Sequence, residues 1–159
     1  MIDHFALRLA TRADASGIAA LSRDRIERGL GWSWTSPRVL RSVIDRETNV
    51  VVAKRRERLL GFGIMKYLDD EAHLLLLAVA NDATRRGVGR ALVAWLERSA
   101  RVAGVREVVL EARVNNLPAR AFYARLGYRE ISTLPGYYQG VEDCVRIAKD
   151  LRLAPVAPG

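Results

Sequence analysis

The sequence predicts a single α/β domain built on a mixed, mainly antiparallel sheet of about seven strands flanked by about four helices. Three observations lead there. Short apolar runs of strand length are interleaved with longer segments whose apolar residues recur at helical spacing, in the order β-α-α-β-β-β-α-β-α-β-β. Four consecutive leucines, Leu74 to Leu77, lie inside the run Glu71–Val79 and mark a strand buried on both faces, hence central. The chain has 159 residues, 50% of them hydrophobic, which is enough for one domain with a real core and too few for two ordinary ones. The expected domain is 1–153. Residues 154–159, with two prolines, read as a flexible tail.

Each element has its own signal. Phe5 to Ala10 alternates and reads as a first strand; Asp14 then stands where an N-cap is needed, and Ile18, Leu21 and Ile26 mark one face of a helix ending near Gly29. A loop with Trp32 and Trp34 follows, for which packing onto the domain is favoured over a substrate lip. Pro37 after Ser36 opens a second helix that stops near Glu47. Val50–Lys54 and Leu59–Tyr67 form a hairpin around a charged turn, with Gly61 and Gly63 marking a bulge in the returning strand. Glu71–Val79 is the central strand. The helix Val88–Val102 places Val88, Leu92, Trp95 and Leu96 on one side and Arg90, Glu97, Arg98 and Arg101 on the other; Gly104 ends it. Val105–Val114 is a strand, Pro118 opens a helix closed by Gly127, and Tyr128–Thr133 and Tyr137–Leu151 are two strands joined through Leu134-Pro135-Gly136.

Composition narrows the function classes. The net charge is +8, but the arginines are spread along the chain and no aromatic-interleaved RNA motif accompanies them, so direct nucleic-acid binding is not expected. One cysteine, Cys144, permits no intramolecular disulfide, and it reads as packing; with two histidines, His4 and His73, a zinc site is not expected either. No apolar run approaches a membrane span and no secretory signal opens the chain, so a cytoplasmic protein without membrane association is expected.

The informative stretch is Ala78–Leu92, AVANDATRRGVGRAL: the end of a strand, a glycine loop and the start of a helix. The first N–H groups of a helix lack intrahelical partners and the dipole adds positive potential there, while glycines admit a ligand close to the backbone. With Arg85, Arg86 and Arg90 beside Gly87, Val88 and Gly89, this suits a phosphate-rich anion such as a pyrophosphate; an ordinary turn with solvated arginines is the alternative. Gly89 is followed by Arg90-Ala91 rather than Lys-Ser/Thr, which excludes a Walker loop, and Leu92 stands where a dinucleotide fingerprint needs a third glycine.

What remains resembles the acyl-CoA loop of the GNAT superfamily of N-acetyltransferases, Gln/Arg-x-x-Gly-x-Gly/Ala, with Thr84 at the first position. A second block, Asn116-Leu117-Pro118-Ala119 with Tyr123 and Leu126-Gly127-Tyr128, resembles the other conserved block of that superfamily, in the right order. Within it, Leu110-Glu111-Ala112-Arg113 and Tyr137-Tyr138-Gln139-Gly140-Val141-Glu142-Asp143 are similar to stretches of the ribosomal-protein alanine N-acetyltransferases (RimI type). The resemblance implies a sheet splayed between its fourth and fifth strands, with the pantetheine of acetyl-CoA in the gap against the backbone of Leu77, Ala78 and Val79. It implies Glu111 as base, Tyr123 as acid and Asn116 as a cofactor contact, with acetyl-CoA as cosubstrate and no metal.

The chemistry is consistent with those roles. An α-amine has a reference pKa of about 8 and lysine about 10.4, so a carboxylate base suffices more easily for an N-terminus. Glu111 is either that base, directly or through water, or a strand carboxylate paired with Arg113 or Arg106. Tyr123, from a reference pKa of about 10, would assist departure of a thiol of about 8.5 by hydrogen bonding, full transfer to the thiolate being uphill by about 2 kcal/mol; otherwise it is a core residue. Asn116 contacts cofactor, caps the next helix, or both. His73 is an alternative base or, as favoured, a structural or surface histidine. Three functions follow: an N-acetyltransferase acting on a protein or peptide N-terminus, the same chemistry on a small amine (polyamine, amino acid or drug), or an acyl-CoA-binding module without turnover, with the protein a monomer or a homodimer.

Overall fold

The computed structural model describes residues 4–27, 33–84, 86–138 and 142–152, with the backbone alone at 137, 138 and 142. Seven strands and four α-helices follow the expected order: β1 (Ala6–Leu9), α1 (Ala15–Arg25), α2 (Ser36–Ile44), β2 (Thr48–Arg55), β3 (Arg58–Tyr67), β4 (Glu71–Val79), α3 (Val88–Val102), β5 (Glu107–Arg113), α4 (Leu117–Arg125), β6 (Arg129–Tyr138) and β7 (Glu142–Asp150). The strands run β1-β2-β3-β4-β5-β7-β6 across one sheet. β4 and β5 are parallel, joined by only three residue pairs, Glu71 with Glu107, Ala72 with Val108 and His73 with Val109. β1–β2, β2–β3, β5–β7 and β6–β7 are antiparallel. Two short 3-10 turns, Arg12–Asp14 and Asn81–Ala83, precede α1 and α3.

Close contacts gather the residues into two compact units, 1–66 with 74–99 and 67–73 with 100–159. In the first unit the alternation along β4 buries Leu74, Leu76 and Ala78 and leaves Leu75, Leu77 and Val79 partly covered. α3 buries Val88, Leu92, Val93 and Leu96, and β3 makes room for it with two glycines. A Cβ at Gly61 would stand 2.9 Å from the Ala78 carbonyl and 3.1 Å from Val88 and Leu92; at Gly63 it would meet Leu96 at 2.9 Å. The bulge expected there is present: Ala53 pairs with Gly61 but Lys54 with Leu59, which leaves Leu60 extra. Glu97, expected on the outer face, is buried, because the apolar stripe from Val88 to Ala100 is wide enough for its edge to include position 97.

Two buried carboxylates tie helix ends to neighbouring chain. Asp14 holds the N-cap position of α1 without capping it. Its carboxylate instead accepts from Arg8 at 2.8 Å and the Thr11 N–H at 2.8 Å, and pairs with Lys54 at 2.9 Å. Burial alone would raise the Asp14 pKa; the bonds from Arg8, Thr11 and Lys54 outweigh it and hold the carboxyl well below the usual range. Glu27 likewise accepts from Ser33, Trp34 and Ser22. Trp34 is buried with the Arg38 guanidinium 3.8 Å over its ring, so this tryptophan packs, while Trp32 lies outside the described residues.

In the second unit β7 lies between β5 and β6, and Cys144, Val145, Ile147 and Ala148 bury against β5 and β6. The boundary between the last two strands differs from expectation. β6 runs on through Leu134-Pro135-Gly136 to Tyr138, and β7 begins at Glu142. The physical reason is a bulge rather than a break: Leu134 pairs with Cys144 and Tyr138 with Glu142, Gly136 takes φ 60°, and its N–H donates to the Asp143 carboxylate at 2.9 Å.

Candidate active site

The glycine loop lies in the first unit. Gly87 has φ 81°, a conformation that favours glycine, and nothing lies within 4 Å of where its Cβ would be. The Ala91 N–H donates to the Gly87 carbonyl at 3.0 Å, which closes the first turn of α3. The N–H groups of Val88, Gly89 and Arg90 precede that bond and have no acceptor within the helix. The Val88 side chain is core, so only its backbone faces outward, whereas Arg86 and Arg90 are exposed; Arg85 lies outside the described residues. Asp82 is engaged by Arg58, which with Arg86 lowers its pKa. The Thr84 hydroxyl turns back onto the Asn81 carbonyl at 3.0 Å. Of the expected pantetheine contacts, Ala78 is buried, Leu77 and Val79 are partly covered, and the Val79 carbonyl accepts from Arg25 at 3.1 Å.

The acid–base candidates lie in the second unit. Glu111, on β5, has a side chain only 6% exposed, and one of its oxygens is 2.9 Å from His73 Nε2. The contact follows from the register: His73 is opposite Val109 on the neighbouring parallel strand, and Glu111 is the next residue of β5 on the same face. With Glu111 ionised the carboxylate only accepts, so Nε2 carries the proton and donates. His73, favoured as a structural or surface histidine, is thereby the neighbour of the candidate base. Sequence reasoning named both residues but missed their meeting, for which no local signal exists.

Tyr123 sits on α4, 7% exposed, edge-on to Phe122 and Tyr128 with ring centroids at 5.0 and 5.5 Å. Burial raises its pKa well above the ordinary phenol range, so it stays protonated. Asn116 caps α4, its side-chain oxygen accepting from the Ala119 N–H at 3.2 Å. Cys144 is fully buried; burial and the Glu111 charge raise its pKa, opposed by Arg146, which keeps it a thiol and suits packing. Among the described residues no group of three His, Cys, Asp or Glu could hold a metal, and no helix is long and apolar enough to cross a membrane. Gln139, Gly140 and Val141 lie outside the described residues, and for Tyr137 and Tyr138 only the backbone is described.

The chain is similar to known proteins. Residues 20–128 match the model of the acetyltransferase (GNAT) family. The ribosomal protein bS18-alanine N-acetyltransferase of Salmonella typhimurium is 38% identical over 95 residues, 58% of this chain and 64% of that protein. An N-alpha-acetyltransferase of Sulfurisphaera tokodaii is 36% identical over 95 residues, 57% of each. The match therefore spans less than two thirds of the length of these relatives. The crystal structure of the ribosomal-protein-S18-alanine N-acetyltransferase from Escherichia coli superposes with a TM-score of 0.82 at 23% identity, over 98% of this chain and 99% of that one, which is a likeness of fold.

Proposed function

Because this chain belongs to the acetyltransferase (GNAT) family, we propose that it transfers an acetyl group from acetyl-CoA to a primary amine, the acceptor being the α-amine of a protein or peptide N-terminus. The observation that carries the reading is the buried Glu111 carboxylate held 2.9 Å from His73 Nε2. A carboxylate screened from water and anchored by a donor is held in a fixed orientation, as a general base requires. An α-amine with a reference pKa of about 8 needs no stronger base. The relatives named as bS18-alanine N-acetyltransferase and N-alpha-acetyltransferase support this acceptor class.

The steps balance. The neutral amine nitrogen attacks the thioester carbonyl carbon and passes one proton to Glu111 as the C–N bond forms; the tetrahedral adduct then collapses, the C–S bond breaks and its electron pair leaves on sulfur. Tyr123, kept protonated by burial, donates a hydrogen bond to the departing sulfur. Its raised pKa makes full proton transfer less favourable than for an ordinary phenol, so its contribution is stabilisation of the thiolate rather than its neutralisation. The N–H groups of Val88, Gly89 and Arg90, which have no acceptor within the helix, with the exposed Arg86 and Arg90, suit the pyrophosphate, and Gly87 keeps the approach open. Arg85, Asn116 and the backbone of Leu77, Ala78 and Val79 complete the proposed cofactor contacts.

The test is release of free CoA thiol from acetyl-CoA with no acceptor, with N-terminally free peptides, with N-blocked lysine peptides and with small amines. Release only with free N-termini is expected. Release confined to small amines would reassign the acceptor. Acetyl-CoA binding with no release for any amine would reduce the protein to a binding module.

A further inference from the structure

We infer that Arg146 is a specificity-determining residue that reads the oxygen beside the reacting amine, so that the acceptor is an α-amino carbonyl compound. This rests on the placement of the acceptor amine at Glu111 proposed above.

Arg146 is the direct partner of Glu111 across the β5–β7 ladder. Direct partners in an antiparallel pair project from the same face with Cβ atoms about 5 Å apart. β5 lies between β4 and β7, so the Glu111 carboxylate has His73 on one side and Arg146 on the other. The Cys144 thiol, opposite Arg113 on β5, feels the charges of both Glu111 and Arg146.

Arg146 is also short of partners. Its Nε is buried without a hydrogen-bond partner. Its direct neighbour on the far side, Ser132 of β6, brings no charge. A guanidinium is a fixed positive charge that can only donate, so a ligand oxygen beside it is favoured and a second cation is disfavoured.

An α-amino carbonyl compound supplies both halves at once. Its amine nitrogen and carbonyl oxygen are separated only by Cα and the carbonyl carbon, a span that fits two side chains on paired strand positions. A lysine side chain carries only methylenes next to its nitrogen, and a polyamine brings a further positive charge. Arg146 therefore explains preference for an α-amine through binding, independently of how readily each amine loses its proton. The oxygen can come from a peptide carbonyl or from the carboxylate of a free amino acid.

The experiment compares four acceptors: an N-terminally free alanyl peptide, the same molecule with its first peptide bond replaced by a trans alkene, which removes the carbonyl oxygen without adding an amine, free alanine, and alanine amide. Calorimetric Kd, KM and kcat are measured for the wild type, Arg146→Leu and Arg146→Lys. The wild type is expected to bind the peptide about 10-fold more tightly than its alkene counterpart, the scale of a hydrogen bond to a charged group. Arg146→Leu should raise the Kd and KM of the peptide about 10-fold, leave kcat and the alkene acceptor nearly unchanged, and be partly rescued by Arg146→Lys. Alanine binding more tightly than alanine amide would identify the carboxylate as the oxygen source; equal binding of those two beside a tighter peptide would identify the peptide carbonyl. Equal loss on the peptide and its alkene form in Arg146→Leu, no loss on either, or no carbonyl preference in the wild type would overturn the inference. Arg146-dependent binding without any CoA release would leave it standing and remove the transferase reading.

Discussion

Glu111→Gln separates the proton-transfer role of the Glu111–His73 pair from its structural one. Glutamine has nearly the same volume, and its amide oxygen can still accept from His73 Nε2, so the contact at 2.9 Å survives while the base is lost. Positioned general bases contribute about 10²- to 10⁴-fold. The α-amine is already about one-tenth neutral at pH 7, which places the expected loss at the lower end, about 100-fold or ~2.7 kcal/mol. Between pH 7 and 9 the neutral fraction of an α-amine rises about tenfold. The variant should recover by about that factor while the wild type changes less, so the two profiles of kcat/KM against pH converge. The assay is CoA release with an N-terminally free peptide and with its N-blocked, lysine-containing counterpart. Parallel profiles for both enzymes on the free peptide would refute the base, and faster acetylation of the lysine peptide would refute the acceptor argument.

Other outcomes follow from the same geometry. Tyr123→Phe keeps the ring between Phe122 and Tyr128 and should lower kcat by about 10- to 100-fold with little change in acetyl-CoA affinity; wild-type turnover would leave Tyr123 a packing residue. Gly87→Ala should cost about 1–2 kcal/mol of stability through backbone strain alone, since its φ is 81° and nothing crowds the new Cβ. Gly87→Glu, which adds a charge facing the expected phosphates, should melt similarly yet abolish acetyl-CoA binding, and so should Gly89→Glu; unchanged affinity by calorimetry would remove the loop from the site. Asp14→Asn should destabilise by about 2–3 kcal/mol at pH 7, because Arg8, Lys54 and the Thr11 N–H lose a buried carboxylate. Its folded pKa lies below the unfolded value of about 3.9, so the stabilisation is complete above that pH and fades as pH falls further. Denaturant titrations should therefore show the gap between wild type and Asp14→Asn closing below pH 4, and a gap independent of pH would exclude the ionic origin.

Much of the architecture was legible because the signals are local. Strand and helix periods, the proline at the start of α2 and the glycines after α3 and α4 each act within a few residues, and the order of elements came out as expected. Where local signals compete, boundaries moved. Leu134-Pro135-Gly136 has the composition of a turn, yet the pairing with β7 resumes beyond it and converts it into a bulge inside β6. Asp14 has the right residue type for a cap, but two cations from β1 and β2 reach its carboxylate.

The sequence by itself determined the element order, the mixed sheet and the glycine loop at the head of α3, since each depends on residue type and short spacing, while Glu111, Tyr123 and Asn116 were singled out through the family resemblance of the blocks that hold them. It could not reveal that Glu111 meets His73, 38 positions away, or that Arg146 stands opposite it. Those neighbours are set by strand register across β4, β5 and β7, and register is a long-range choice: a slip of one residue would send every side chain to the other face without altering any local propensity. Only the assembled sheet, in which burying Val108, Leu110 and Ala112 forces Glu111 to the opposite side, decides which charged groups share that face.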